Sequence, residues 1–177
     1  MSDPLQLTAA QRAAVKQRVR ECLTLAETAL QRTIAPPRLR FDLRGAAAGQ
    51  FRGGPDGAEL RFNKQLFALY FDDNLEHTVA HEVAHHVVFE LHGRNSKKRR
   101  VRPHGREWRA LMTLFGVPAE VRHSYDLSGI AVRRERRVLY ACGCREHSIT
   151  LRTHRKMARG QQRACTRCGQ ELRRKTA

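Results

Sequence analysis

At 177 residues the chain has the length of one compact domain, or of one domain with a small appendage. No stretch approaches the ~18 apolar residues of a membrane-spanning helix, and Met1-Ser2-Asp3-Pro4 lacks the basic-then-apolar plan of a secretory signal, so no membrane role and a cytoplasmic location are expected. The formal net charge of +17 is confined to one half: residues 1–93 hold 11 Lys+Arg against 11 Asp+Glu, and residues 94–177 hold 23 against 6. A genome biased towards arginine would enrich both halves. A surplus on one side alone points to a polyanionic partner, with nucleic acid the leading expectation for the C-terminal half.

In chain order, residues 8–34 read as an amphipathic helix. Thr8-Ala9-Ala10-Gln11 is a capping-box pattern, Val15, Val19, Cys22, Ala26 and Leu30 share one face, and Pro36-Pro37 end it. Cys22 lies on that apolar stripe and reads as a small buried side chain. Leu39, Phe41 and Leu43 alternate with charged residues, the period of a half-buried strand. Residues 45–51 and 58–62 suggest two more strands joined by Gly53-Gly54-Pro55-Asp56-Gly57. A small antiparallel sheet is expected, with an edge strand suited to an extended peptide. Residues 63–71 read as a short helix or turn.

Asp73 with Glu76 is a start signal for a further helix running to about Leu91, with Gly93 as its stop. It carries His81-Glu82-Val83-Ala84-His85. Residues four apart lie one above the other on a helix, so His81 and His85 can offer two imidazoles to one metal ion while Glu82 reaches a water there. Val79, Val83 and Val87 form one apolar stripe, and Ala80, Ala84, Val88 and Leu91 a neighbouring one. The helix is therefore packed over much of its circumference, and buried histidines need partners such as a metal. A metzincin third ligand would need Gly at 88 and His at 91; Val88 and Leu91 exclude it, and His92 falls one place off register. After a basic loop over residues 94–102, His104 and Glu107 are the next candidates, and spacing does not choose between them. Residues 106–115 read as a helix with Trp108, Leu111, Met112 and Phe115 inward, stopped by Gly116 and Pro118.

From residue 136 the pattern becomes β-like, with strands at 138–140 and 149–151 and a turn at Arg159-Gly160. Cys142 and Cys144 precede the second strand, and Cys165 and Cys168 form a knuckle closed by Gly169. Four thiolates can hold a tetrahedral zinc and so stabilise a segment too small for its own core. The first pair is C-x-C, and His147 is an alternative to Cys142 or Cys144. The residues between the pairs, read as strand, carry Arg152, His154, Arg155, Lys156, Arg159 and Arg163.

These motifs together, His-Glu-Val-Ala-His, then His-Gly-Arg-Glu-Trp, then the two cysteine pairs, resemble the bacterial SprT family. They are also similar to the protease domain of the eukaryotic Spartan family. The resemblance implies an α+β fold, with a zincin-like metalloprotease domain over residues 1–130 and a zinc ribbon with a basic tail over 131–177. It implies His81, His85 and His104 as ligands of a catalytic zinc, Glu82 as general base, and a second, structural zinc on the cysteines. The expected activity is peptide-bond hydrolysis on DNA-associated proteins, with His123 or Tyr125 as a further donor to the transition state. Two other readings remain: a nucleic-acid-binding zinc protein with an idle HExxH site, and a zinc amidohydrolase acting on a small molecule.

Overall fold

Helix α1 (Ala9–Leu30) starts at the expected capping box: the Gln11 amide donates to Thr8 Oγ1 at 3.1 Å and the Thr8 amide to Gln11 Oε1 at 2.9 Å. These bonds satisfy amides that a helix start leaves open. Val15, Val19, Cys22 and Ala26 are buried, and burial pushes the Cys22 thiol up to about 11, so it packs as a small apolar residue. The helix ends before the prolines. Gln31 adopts the left-handed conformation, and the Glu27 carboxylate takes the Ile34 amide at 2.8 Å, which closes the turn and leaves Leu30 exposed.

The computed structural model describes residues 6–93, 101–128, 130 and 136–175. The expected basic loop falls mainly at residues 94–100, outside the described residues. The chain divides into two compact units, Met1–Val132 and Arg133–Ala177. It is mixed α+β, with a small sheet in each unit. No helix among the described residues is long and apolar enough to cross a membrane.

In the first unit, strands β1 (Arg38–Arg40), β2 (Gly49–Gly54) and β3 (Gly57–Phe62) form a sheet of order β1-β3-β2. β2 and β3 are an antiparallel hairpin, but β1 runs parallel to β3, so the sheet is mixed where an antiparallel one was expected. The cause lies at residues 45–48. Fully buried Asn63 donates from Nδ2 to the Gly45 and Ala47 carbonyls, and its amide donates to Ala48 O. This pins the segment as a crossover loop rather than strand, and carries β2 to the far side of β3. The same Asn63 side chain accepts the Gln65 and Leu66 amides and caps α2 (Lys64–Leu69).

A longer helical run follows: α3 (Phe71–Asp73), a π-helical turn over Asn74–Thr78, and α4 (Val79–His92), which ends at Gly93 with φ of 64°. Asp73 is not the expected cap. Its backbone is already helical and its side chain caps nothing. Buried Asn74 organises the wide turn instead, donating to the Leu66 and Tyr70 carbonyls and accepting the Thr78 hydroxyl at 2.7 Å. Val79, Ala80, Val83, Ala84 and Val87 of α4 are fully buried against α1 and β2. Helix α5 (Arg106–Leu114) adds fully buried Trp108, with Leu111 and Met112, to the same core.

In the second unit, β4 (Arg137–Ala141) lies between β5 (Glu146–Thr150) and β6 (Arg173–Arg174), antiparallel to both. Residues 151–158, expected as strand and turn, form helix α6 (Leu151–Ala158). Thr150 caps it by accepting the Thr153 amide, and His154 turns inward to Tyr140 with Nδ1 3.0 Å from the hydroxyl. Tyr140, Cys165 and Leu172 are its buried apolar residues, a very small core.

Candidate metal centre and cleft

His81 and His85 project from α4, and His104 from the segment just before α5. Their three Nε2 atoms converge, with separations of 3.1 Å (His81–His85), 3.1 Å (His85–His104) and 3.2 Å (His81–His104). A neutral imidazole Nε2 is either a donor or an acceptor. Among three such atoms at least two must be alike, so mutual hydrogen bonds cannot satisfy the triangle. A cation can: tetrahedral zinc with nitrogens at about 2.0–2.1 Å requires N···N separations of roughly 3.3 Å. The residues fit the group. Burial, reinforced by the neighbouring imidazoles, holds His85 down at about 3 and His81 at about 4, and burial lowers His104 as well. The rings are thus neutral, the form that binds metal.

Trp108 is the floor of the cluster. Its ring meets His81 and His104 edge-on at 4.8 Å, and its Nε1 donates to the His81 carbonyl at 3.3 Å. The competing carboxylate, Glu107, faces Arg106 at 3.7 Å and stands outside the cluster. His86, the next histidine on α4, is fully buried elsewhere and donates to Ala35 O at 2.7 Å.

Glu82 is 6% exposed, and burial pushes its carboxyl up to about 8, opposed only by a backbone hydrogen bond from Phe51. The backbone of β2 reaches it because residue 49 is glycine: a Cβ there would lie 2.6 Å from Glu82 Cγ and 2.8 Å from Thr78 Cγ2. Glu82 and His81 open onto a cleft of about 460 Å³. His123 and Tyr125 both line it: Tyr125 donates its hydroxyl to Asp73 Oδ2, and His123 Nε2 donates to Ala46 O at 2.9 Å, which leaves buried His123 Nδ1 without a partner among the described residues. The cleft also takes in His77, one turn before His81. The sequence expectations above do not include it. Its four-residue offset from His81 was the available signal.

In the second unit Cys142, Cys144, Cys165 and Cys168 bring four sulfurs together. The separations of 3.4 Å (Cys142–Cys144) and 3.8 Å (Cys144–Cys165) are near the roughly 3.8 Å that four thiolates at about 2.3 Å from zinc require. Backbone amides of Cys168 and Arg167 pull the Cys165 thiol down to about 5, whereas the crowding thiols Cys142 and Cys168 push Cys144 up to about 12. His147 Nε2 lies 3.3 Å from Cys142 Sγ but outside the four-sulfur group.

Three converging imidazoles, a buried carboxylate between two of them in sequence and an open cleft define a candidate HExxH metal site. The chain belongs to the SprT-like family, whose family model matches residues 19–125. Protein SprT of Escherichia coli O139:H28 (strain E24377A / ETEC) is 35% identical over 161 residues, 90% of this chain and 91% of the relative. Protein SprT of Pseudomonas paraeruginosa (strain DSM 24068 / PA7) is 39% identical over 155 residues, 85% and 88% of the two chains. That of Vibrio parahaemolyticus serotype O3:K6 is 33% identical over 164 residues, 89% and 90%. No solved structure matches the chain.

Proposed function

We propose that the chain is a zinc-dependent endopeptidase, a zincin-like catalytic unit followed by a zinc ribbon, acting on DNA-associated proteins. The observation that carries this reading is buried Glu82 lining an open cleft together with His81, one of three converging histidines. His81, His85 and His104 would hold the catalytic metal, and Cys142, Cys144, Cys165 and Cys168 a structural one. The zinc ion, when bound, supplies Lewis acidity to the scissile carbonyl and to water. Glu82 takes the proton from that water and passes it to the leaving amine. The substrate strand lies along β2, which is an edge strand of its sheet.

The basic second unit supplies the DNA contact. Arg152, Arg155, Lys156 and Arg159 are exposed on or just after α6, and their phosphate contacts bring DNA-bound proteins to the enzyme. That exposed row also favours the second reading, a nucleic-acid-binding zinc protein with an idle HExxH site. One substitution separates the two. Glu82→Gln abolishes cleavage of an unfolded protein substrate while zinc content and DNA binding stay at wild-type levels. Undiminished cleavage by this variant would rule out the mechanism, and an inactive wild type that binds DNA would leave the second reading.

A further inference from the structure

We propose that His77 positions the substrate: its Nε2 accepts a main-chain N–H of the polypeptide in the cleft, with its ring orientation fixed by Asp73 and Tyr125. This rests on the reading of the cleft as a polypeptide site.

His77 Nδ1 lies 3.0 Å from Asp73 Oδ1 and 3.2 Å from the Asp73 carbonyl oxygen. Both atoms only accept, so Nδ1 carries a proton, and the neutral tautomer with that proton has its lone pair on Nε2. Nε2 has no hydrogen bond among the described residues, and the side chain lines the cleft that contains His81 and Glu82. An acceptor therefore faces the place where a chain rich in N–H donors would lie.

An exposed His–Asp pair four residues apart on a helix is by itself worth little. Here the aspartate is tied to a second segment. Its other oxygen, Oδ2, takes the Tyr125 hydroxyl across 52 residues of sequence. The Tyr125 ring is sandwiched between Tyr70 (centroids 4.3 Å apart, 5° between planes) and His123 (4.3 Å, 15°). Each outer ring is tethered in turn, Tyr70 Oη to Asp126 O at 2.9 Å and His123 Nε2 to Ala46 O at 2.9 Å. The π-helical turn that contains His77 is held from within by buried Asn74, and such widened turns recur at functional sites. Tyr125 is thus a tether of the site, its hydroxyl spent on Asp73.

The experiment uses the full zinc-loaded chain, a fluorogenic peptide, and the variants His77→Ala, His77→Gln, Asp73→Asn and Glu82→Gln. His77→Ala raises KM about three- to tenfold, the size of one hydrogen bond, with kcat within about twofold and with zinc content and melting midpoint unchanged. His77→Gln restores most of the loss, because its amide oxygen also accepts. Asp73→Asn falls between, and long-range 15N NMR shows His77 losing its Nδ1–H preference. A wild-type KM in His77→Ala, or glutamine no better than alanine, overturns the inference while the peptidase reading stands. A wild type that cleaves no polypeptide overturns both.

Discussion

Replacing Gly49 by alanine places one methyl group where there is no room for it. The added Cβ would lie 2.6 Å from Glu82 Cγ, 2.7 Å from Glu82 Oε1 and 2.8 Å from Thr78 Cγ2, against the 3.4 Å at which ordinary contact begins, a deficit of about 0.8 Å at the nearest atom. Gly49 has a backbone conformation open to any residue, so the whole cost is steric. Glu82 cannot swing into solvent to relieve it, since the carboxylate is buried and held by the Phe51 backbone. The methyl therefore displaces either the carboxylate or the edge of β2. Overpacking of this kind costs ~1–3 kcal/mol of stability, and a misplacement approaching 1 Å at a reacting group costs on the order of a hundredfold in rate. None of the three atoms nearest the new methyl belongs to the histidine cluster, so zinc content stays at the wild-type level. The assay pairs cleavage of a fluorogenic peptide with elemental zinc analysis and a thermal melt on the same preparation. Wild-type kcat in Gly49→Ala would refute the placement of Glu82; loss of zinc together with activity would refute the claim that the strand acts on the carboxylate alone.

Further outcomes follow from the two metal clusters, the buried carboxyl and the basic unit. His104→Ala lowers bound zinc from about two ions per chain to about one, and Cys165→Ser does the same from the other cluster, as elemental analysis will show. In the metal-free protein Glu82, raised from 4.5 to about 8, binds its proton more tightly folded than unfolded. Its contribution is fully present below pH 4.5 and is lost as pH rises towards 8. Glu82→Gln removes that dependence, so the metal-free variant melts higher than wild type at pH 8, and the two converge near pH 4. DNA binding weakens steeply with salt, and Arg152→Ala with Arg155→Ala reduces the slope of log K against log salt by about one per lost phosphate contact; an unchanged slope would remove α6 from the interface.

The helical spacing of His81 and His85 was legible because a single helix period dictates it, and the valine stripe marked the same helix as buried. His104 and Glu107 were not separable that way. Three residues apart near a helix start, either can face inward; the family resemblance, not the spacing, implies His104, whose Nε2 converges with those of His81 and His85. Asp73 reads locally as a helix cap, yet its carboxylate serves Tyr125 and His77, one of them 52 residues away. The wide turn after it follows from hydrogen bonds of Asn74 to Leu66 and Tyr70, which no periodicity announces. The parallel pairing of β1 likewise depends on Asn63 fixing a crossover. In the second unit, Arg and Lys at four of the positions around α6 obscured a spacing of three, Leu151, His154 and Met157, that forms its less exposed face.

The chain has one tryptophan, and it lies beneath the three histidines. Trp108 is fully shielded from water, so its emission responds to the imidazoles and to whatever charge they hold rather than to solvent. The second unit contains no tryptophan, and the aromatic side chain in its small core is Tyr140. Tryptophan emission can therefore follow loading of the histidine centre in real time and without a label.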